Sequence, residues 1–296
     1  MTTHPSHLTP SLTIPQQYSK KVLRFVRASG TYLLLILMAI IVILPVASLV
    51  ITSLKKDSEY LNYPMIWLPA APQWQNYTLA TTVFPFMRYV GNSLLLAFVF
   101  STLTVLSSAM AGFAFARLRA PGKNRLFGIV IALLIIPNIV FVIPQFVIFA
   151  RVGITDTYWP WVLWGIAGSP FHIFLFRQFF ASIPKELEDA AEVDGASLFR
   201  VFWGIFLPNA KPAIATSYIL NFIWVWGDWF NPLIYLSDAN TTLAVKLANA
   251  YKNSAGFTLT TIALAGSVLY ILPVLILFFV GQKQIVENAV TSGLKG

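Results

Sequence analysis

The chain has no cysteine, only three histidines, and charged residues at just 10% of its 296 positions. The lack of cysteine excludes disulfide bonds and thiol chemistry, but it does not identify a compartment. Hydrophobic residues make up 57% of the sequence, which is too apolar and too sparsely charged for a water-facing globule of this length. The composition therefore predicts an all-α integral membrane protein.

The sequence also lacks the motifs of nucleotide and metal chemistry. Gly122-Lys123-Asn124 has neither the upstream glycine nor the following Ser or Thr that a phosphate-binding loop needs, so this chain is not expected to hydrolyse ATP. No His and carboxylate cluster or Ser/His/Asp constellation is recognisable, which argues against an enzyme and predicts no metal site. His172 is isolated in an apolar segment, and we interpret it as a hydrogen-bonded packing residue rather than a ligand.

Long apolar runs are abundant. Four of them are free of charge and long enough to cross a membrane: 31–54, 89–116, 126–150 and 257–282. Two weaker runs are 158–176, which carries two prolines and His172, and 212–236, which contains Asp228. Counting both gives six transmembrane helices. Pro137 and Pro144 predict a bend in the third of them.

The net charge of +9 is distributed unevenly along these six predicted spans. One side of the membrane receives 14 of the 20 basic residues: Lys20, Lys21, Arg24, Arg27, Arg117, Arg119, Lys123, Arg125, Arg177, Lys185, Arg200, Lys211, Lys283 and Lys295. The other side receives six: Lys55, Lys56, Arg88, Arg151, Lys246 and Lys252. The positive-inside rule accounts for this asymmetry without a nucleic-acid partner and places both termini in the cytoplasm.

The remaining segments complete the predicted organisation. Residues 1–30 form a cytoplasmic segment whose polar first 19 residues predict disorder, and the apolar run after it is too long for a cleaved signal. Residues 55–88 form an extracytoplasmic loop, rich in Trp and Tyr, that suits a lid at the membrane interface. Residues 89–282 form the core, interrupted by a polar loop at 181–211, and 283–296 form a cytoplasmic tail.

The segment 188–208 is charged in its first half and predicts a helix, a turn at Gly195 and a second helix. Ala190 and Ala191 carry small side chains that would let another protein approach the backbone, with carboxylates on either side. An equally good interpretation is a solvated amphipathic loop, whose acidic residues simply complement a helix dipole.

The pattern resembles the EAA loop of ABC-importer permeases: E-A-A, three residues, Gly, nine residues, Ile, one residue and Leu-Pro. The matching residues are Asp189, Ala190, Ala191, Gly195, Ile205, Leu207 and Pro208, with Asp in place of the usual first Glu. Further similarity to the MalG-like subunits of carbohydrate importers comes from Asn76-Tyr77, 89–93, Ala116-Arg117-Leu118, 177–180, Val193-Asp194-Gly195-Ala196, 224–228 and 291–296. The resemblance implies the type I importer permease (MetI-like) fold with six helices.

It also implies partners and a division of labour. Such a permease pairs with a second, MalF-like permease, sits on two ATPase subunits that bind ATP and Mg, and receives sugar from an extracytoplasmic binding protein. The chain itself would need no cofactor and would lie in a bacterial or archaeal cytoplasmic membrane. The resemblance assigns ATPase coupling to Glu188, Asp189, Ala190, Ala191, Asp194, Gly195, Leu207 and Pro208, and a second ATPase contact to the tail 284–296.

A substrate pathway is harder to locate. Asp228 would cost about 2.5 to 3.5 kcal/mol facing lipid at mid-depth, so it should face a cavity, a partner or the interface. Together with Trp224, Trp229 and Asn231 it could form a sugar-facing surface, since aromatic faces stack on sugars and a carboxylate accepts hydroxyl hydrogen bonds. Packing between helices near the outer end of the span explains the same residues equally well.

The main alternative is a secondary transporter or channel that acts without an ATPase. Such a protein would be expected to show inverted repeats and intramembrane ion ligands, and no convincing repeat is found. The sequence does not identify the solute, because selection in importers of this kind rests largely with the binding protein.

Overall fold

The computed structural model describes the backbone of residues 16–64, 66–253 and 255–293, and side-chain environments between residues 24 and 283. Within these ranges the chain is helical, and its one β feature is an isolated bridge between Lys252 and Thr258. The helices are α1 Gln16–Ser53, α2 Asp57–Tyr60, α3 Gln75–Thr82, α4 Phe86–Arg117, α5 Lys123–Leu133, α6 Ile139–Val152, α7 Trp159–Ala167, α8 Pro170–Ala181, α9 Glu186–Val193, α10 Leu198–Val201, a π-helical turn Phe202–Phe206, α11 Leu207–Asn209, α12 Lys211–Trp226, α13 Phe230–Tyr235, α14 Leu243–Asn249 and α15 Thr260–Gly293.

In the described part of the chain, three helices are long and apolar enough to cross a membrane, namely Arg24–Ser53 within α1, the whole of α4, and Thr260–Lys283 within α15. They correspond to the predicted first, second and sixth spans, which are charge-free apolar runs. α1 includes residues 16–19, which the composition assigned to a disordered segment, and residues 1–15 lie outside the described part of the chain.

The other three predicted spans are interrupted rather than continuous. The third is divided into α5 and α6 by a break that contains Pro137, whereas Pro144 lies inside α6. The fourth is divided into α7 and α8 at Gly168, which has φ +74°, and the fifth ends at Trp226 before the short helix α13. Proline lacks an amide donor and glycine tolerates positive φ, so both permit helix breaks.

α4 lies at the centre of the packing, against α7, α8 and α12. A Cβ added to Gly112 of α4 would lie 2.6 Å from Phe176 Cβ and 2.9 Å from Arg177 N of α8, so these two backbones cross in close contact. The break before α8 is fastened to α4 as well, because Ser108 Oγ accepts a 3.0 Å hydrogen bond from Ser169 N. α4 and α8 therefore form one closely packed unit.

Polar side chains fasten the end of the bundle that contains Phe86. Asn76 Nδ2 donates to the Ser53 and Lys55 carbonyls at 2.8 and 3.0 Å, which ties α3 to the end of α1. Asn92 Nδ2 donates to Thr241 O at 3.0 Å. The next residue of α4, Ser93, accepts a 2.8 Å hydrogen bond from the Leu243 amide through its Oγ. Two short sequence motifs noted above thus contribute to the structure of this end.

The loop between α6 and α7 joins this network. Asp156, at φ +58°, accepts a 2.7 Å hydrogen bond from Ser237 N and a 3.0 Å hydrogen bond from Asn240 Nδ2. Hydrogen bonding by Ser237, and then by Asn240, lowers the pKa of the Asp156 carboxyl below its ordinary value. This loop and the segment after α13 are thereby held together.

Candidate coupling surface and central cavity

The segment 181–211 folds as the predicted helix, turn and helix. α9 ends in a left-handed turn: Gly195 has φ +72°, and Ala196 N donates back to Ala191 O at 2.9 Å. No atom would lie within 4 Å of a Cβ added to Gly195, so backbone conformation rather than space requires glycine here. α10 then begins at Leu198, where Ser197 Oγ accepts a 3.4 Å hydrogen bond from Arg200 N.

Glu188 points into the protein and anchors α9. Its carboxylate lies 3.5 Å from an Arg117 guanidinium nitrogen, and both side chains are about nine-tenths buried. The guanidinium also donates to Phe180 O at 2.7 Å and to Ile183 O, and lies 4.9 Å from the centroid of the Phe206 ring. One cation at the end of α4 therefore holds the end of α8, the first turn of α9 and the π-helical turn.

The two alanines of the motif face opposite environments. Ala191 is buried in an apolar cluster built from α4, α8, α9 and the segment 201–213, while Ala190 is exposed. Of the other predicted coupling residues, Asp189, Asp194, Gly195 and Pro208 are exposed and Leu207 is half-buried against the same cluster. Ala190 and the carboxylates beside it are thus available to a partner, whereas Glu188 and Ala191 fix the helix from beneath.

Asp189 already has a basic neighbour in this chain. Lys185 Nζ lies 3.3 Å from its carboxylate, one helical turn away, and both side chains are more than half exposed. An exposed pair of this kind contributes only about 0 to 1 kcal/mol, so the Asp189 carboxylate remains available to a second cation.

Beyond Gly195 the surface becomes apolar. Val193 is 88% exposed, Phe199 67% and Leu198 50%, and the Phe199 ring contacts the Trp203 ring at 5.8 Å. Contiguous exposed apolar side chains next to charged ones are typical of protein or membrane contacts. We call Asp189, Ala190, Val193, Leu198 and Phe199 the coupling surface.

A cavity of about 800 Å³ lies between α4, α6, α7, α8 and α12. Trp224, Asp228 and Asn231 line it, as expected for a pathway, whereas Trp229 is not part of the wall and is 50% exposed. The volume falls in the range of small-molecule sites.

The Asp228 carboxylate makes local hydrogen bonds as well as lining the cavity. It accepts from the Phe230 and Asn231 amides at 3.0 and 3.1 Å and from Asn231 Nδ2 at 2.7 Å. Asp228 therefore caps the first turn of α13, consistent with the structural interpretation, and still presents a carboxylate to the cavity.

Sequence reasoning missed Arg117 and Gly112. Arg117 was counted as a cytoplasmic charge and as part of the Ala116-Arg117-Leu118 similarity, but its anchoring role was not predicted, because its partners on α8 and α9 are more than 60 residues away in sequence. Gly112 follows Ser108 by four residues, a small-xxx-small spacing that favours close helix crossings and could have indicated the contact with α8.

Comparison with known proteins identifies the family. Residues 104–286 match the family described as binding-protein-dependent transport system inner membrane component. The chain is 31% identical over 265 residues to the arabinooligosaccharides transport system permease protein AraQ of Halalkalibacterium halodurans, covering 87% of this chain and 93% of that protein. It is 29% identical over 281 residues to the sulfoquinovosyl glycerol transport system permease protein SmoH of Agrobacterium fabrum, covering 94% and 95%.

Solved structures agree on the fold. A chain of a bacterial ABC transporter involved in the import of the acidic polysaccharide alginate superposes with a TM-score of 0.77 at 23% identity, covering 94% of this chain and 100% of that one. With the matched family covering more than half of the sequence, this chain belongs to the binding-protein-dependent transport system inner membrane components, a family of membrane transport subunits.

Proposed function

We propose that this chain is the permease subunit of an ABC importer for a sugar or sugar-like solute, such as a di- or oligosaccharide, a glycoside or a polyol. Family membership supports the transport role, and the relatives named for arabinooligosaccharides and sulfoquinovosyl glycerol support the solute class. A second permease, two ATPase subunits that bind ATP and Mg, and an extracytoplasmic binding protein complete the importer. A transporter acting without an ATPase is not favoured.

The chain crosses a bacterial or archaeal cytoplasmic membrane six times, with both termini in the cytoplasm. α1, α4 and α15 make three crossings; the α5–α6 pair, the α7–α8 pair and α12 make the others. This topology puts the coupling surface and Arg117 on the basic, cytoplasmic side. The tail contact with the ATPase falls on residues 284–296, whose side chains lie outside the described residues.

The absence of cysteine makes this topology directly testable. Ala120 and Leu61 are both exposed and lie on opposite sides in the proposed arrangement, and neither is part of the coupling surface. Leu61→Cys should react with a membrane-impermeant maleimide added outside intact cells, and Ala120→Cys should react only after lysis. Labelling of both in intact cells would contradict the six-helix arrangement.

The observation that carries the proposal is the anchored α9 helix with its exposed Ala190. A coupling element must transmit displacement from the ATPase to the transmembrane helices. A short helix that is anchored to the bundle by the buried Arg117–Glu188 ion pair and presents the small Ala190 side chain to its partner is suited to this role. ATP-driven approach of the two ATPase subunits would then move α9 and, through its anchors, the transmembrane bundle.

The test places a bulky side chain at position 190, in the proposed contact with the ATPase. Ala190→Trp should leave membrane insertion intact but lose ATPase co-purification and solute uptake, because the bulky ring separates the two surfaces. Ala239→Trp is the matched control, since this alanine is also exposed but lies beyond α13. ATPase binding and uptake by Ala190→Trp equal to those of the control would refute the coupling surface.

A further inference from the structure

A second cavity, of about 620 Å³, lies at the turn between α4 and α5. The cations Arg119, Lys123 and Arg125 line it, together with Asn124. Among the described residues of its wall none is acidic, and the sequence contains no Asp or Glu from residue 60 to residue 155. This basic cavity therefore concentrates positive charge without a counter-ion from its own stretch of the chain.

The two arginines of the basic cavity are available to an anion. Arg117, only two residues before Arg119, is buried and paired with Glu188. Arg119 and Arg125 are exposed, and no ion pair between described residues includes either of them. Each guanidinium carries five N–H donors in a planar fork that matches the oxygens of a phosphate group. The basic cavity thus offers two such forks and the Lys123 ammonium to one ligand.

The turn that carries these cations has a fixed conformation. Gly122 adopts φ +78°, which glycine tolerates, and Lys123 Nζ donates to Leu118 O at 2.7 Å. This hydrogen bond ties the beginning of α5 to the end of α4, and it leaves the ammonium its charge and two further N–H donors. The cavity is preformed in this chain, so a bound anion does not have to order the turn.

An apolar stripe on α5 begins directly beside the basic cavity. Leu126, Ile129 and Leu133 occupy positions i, i+3 and i+7, so they share one face of the helix. Their side chains are 57%, 59% and 42% exposed. The stripe is roughly 10 Å long, or about two-thirds of the ~15 Å hydrocarbon depth of one leaflet. A ligand that fills both features has an anionic head and an apolar tail.

We propose that the basic cavity binds the phosphate-bearing headgroup of an anionic phospholipid, whose acyl chains lie along the Leu126, Ile129 and Leu133 stripe. The inference goes beyond the transport role. It takes from the proposed function only the topology, which places the cavity at the cytoplasmic end of a span, where headgroups surround the protein. A soluble phosphate compound would use the cations but would leave the stripe uncovered.

The size of the effect separates a binding site from diffuse attraction. Any basic residue near an anionic membrane surface contributes about fivefold to lipid affinity, wherever it lies on that side. A guanidinium that donates charge-assisted hydrogen bonds to a phosphate contributes more, on the order of tenfold or above. Cations of the basic cavity should therefore matter more than other exposed cations on the same side.

The experiment counts lipids bound to the complete importer, purified with its partner subunits in a neutral detergent. The complex is titrated with dioleoyl phosphatidylglycerol or dioleoyl phosphatidylcholine, and native mass spectrometry counts the lipids retained. The cavity variants are Arg119→Gln and Arg125→Gln, which remove a charge but keep a polar side chain. Lys211→Gln is the matched control, since Lys211 is also exposed on the proposed cytoplasmic side but does not line the cavity.

We expect one phosphatidylglycerol per copy of this chain that phosphatidylcholine does not replace. Its affinity should fall tenfold or more in each cavity variant and at most about fivefold in Lys211→Gln. ATPase co-purification should be unchanged in all three variants, which excludes misfolding as the cause.

Three results would overturn the site. Equal losses in the cavity variants and the control would indicate diffuse attraction. Displacement of the lipid by millimolar inorganic phosphate would assign the cavity to a soluble anion, and lost ATPase co-purification with unchanged lipid binding would assign it to a protein contact. Absence of solute uptake by the unaltered complex would count against the proposed function and not against this site, because lipid binding is measured without transport.

Discussion

Removing Arg117 should damage this protein more than removing any other cation near the coupling surface. Its guanidinium interacts with the Glu188 carboxylate at 3.5 Å, donates to two carbonyls at the end of α8 and covers the Phe206 ring. Arg117→Met keeps the apolar stem but leaves a carboxylate and two carbonyls buried without this cation. Breaking a buried ion pair from one side typically costs about 3 to 5 kcal/mol.

The opposite change should cost less. Glu188→Gln leaves Arg117 with its two carbonyl acceptors and the aromatic ring, and the amide oxygen still accepts a hydrogen bond, so we expect a loss of about 1 to 3 kcal/mol. The double variant should lose less than the sum of the two single losses, because neither charge is left unpaired. This asymmetry identifies Arg117, rather than Glu188, as the centre of the contact.

The assay compares the assembled importer across temperature and salt. Lys185→Met is the matched control, because it breaks the exposed Lys185–Asp189 pair one turn from Glu188. Arg117→Met should lower the temperature at which binding-protein-stimulated ATP hydrolysis is lost, whereas Lys185→Met should change it little, since exposed pairs contribute about 0 to 1 kcal/mol. The Arg117 effect should persist at high salt because buried pairs are weakly screened. Identical losses for the two variants would refute the anchoring argument.

Four further changes test separate contacts. Gly195→Leu should abolish uptake with insertion intact, since a left-handed residue costs about 1 to 2 kcal/mol without glycine; normal uptake would remove the turn from the mechanism. Asp189→Lys should reduce stimulated ATP hydrolysis, because it adds a cation beside Lys185 and faces the partner's cation, while Asp189→Glu should be tolerated; full stimulation by Asp189→Lys would contradict charge pairing. Asp228→Ala should impair uptake more than ATPase co-purification, and equal loss of both would assign Asp228 to folding alone. Gly112→Ala should destabilise the complex by about 1 to 3 kcal/mol through overpacking against α8, and an unchanged thermal midpoint would show that the crossing can relax.

The three longest helices were predictable from their charge-free apolar runs, and Pro45 and Pro273 lie inside two of them without ending the helix. The interrupted spans were only partly predictable. Pro137 predicted a bend and lies in the break between α5 and α6, but the helix ends at Gly168 and Trp226 depend on contacts with residues far away in sequence. Gly168 packs against Ser108 of α4, and Trp226 Nε1 donates to Tyr270 O of α15. Hydrophobic periodicity carries no information about such partners.

In the segment 181–211, local structure was predictable from the sequence but the orientation of individual side chains was not. The spacing predicted α9, the turn at Gly195 and the second helix, since these follow from local backbone preferences. It did not predict that Glu188 points inward while Asp189 points outward, because that choice is set by where Arg117 lies at the end of α4. The assignment of both residues to ATPase coupling stays a prediction, with anchoring as the physical role of Glu188.

Coupling surface and cavity are connected through one packed unit. Arg117 and Thr104 lie on the same helix, and the close crossing at Gly112, between them, fixes α4 to α8. α8 in turn carries His172 at its beginning and continues through a four-residue link into α9. Close-packed helices transmit displacement instead of absorbing it, so a movement of α9 should displace together the parts of the central cavity wall that Thr104 of α4 and His172 of α8 contribute. The wall formed by α12 should respond less directly, because its connection to α9 passes through the π-helical turn and the short helix α11.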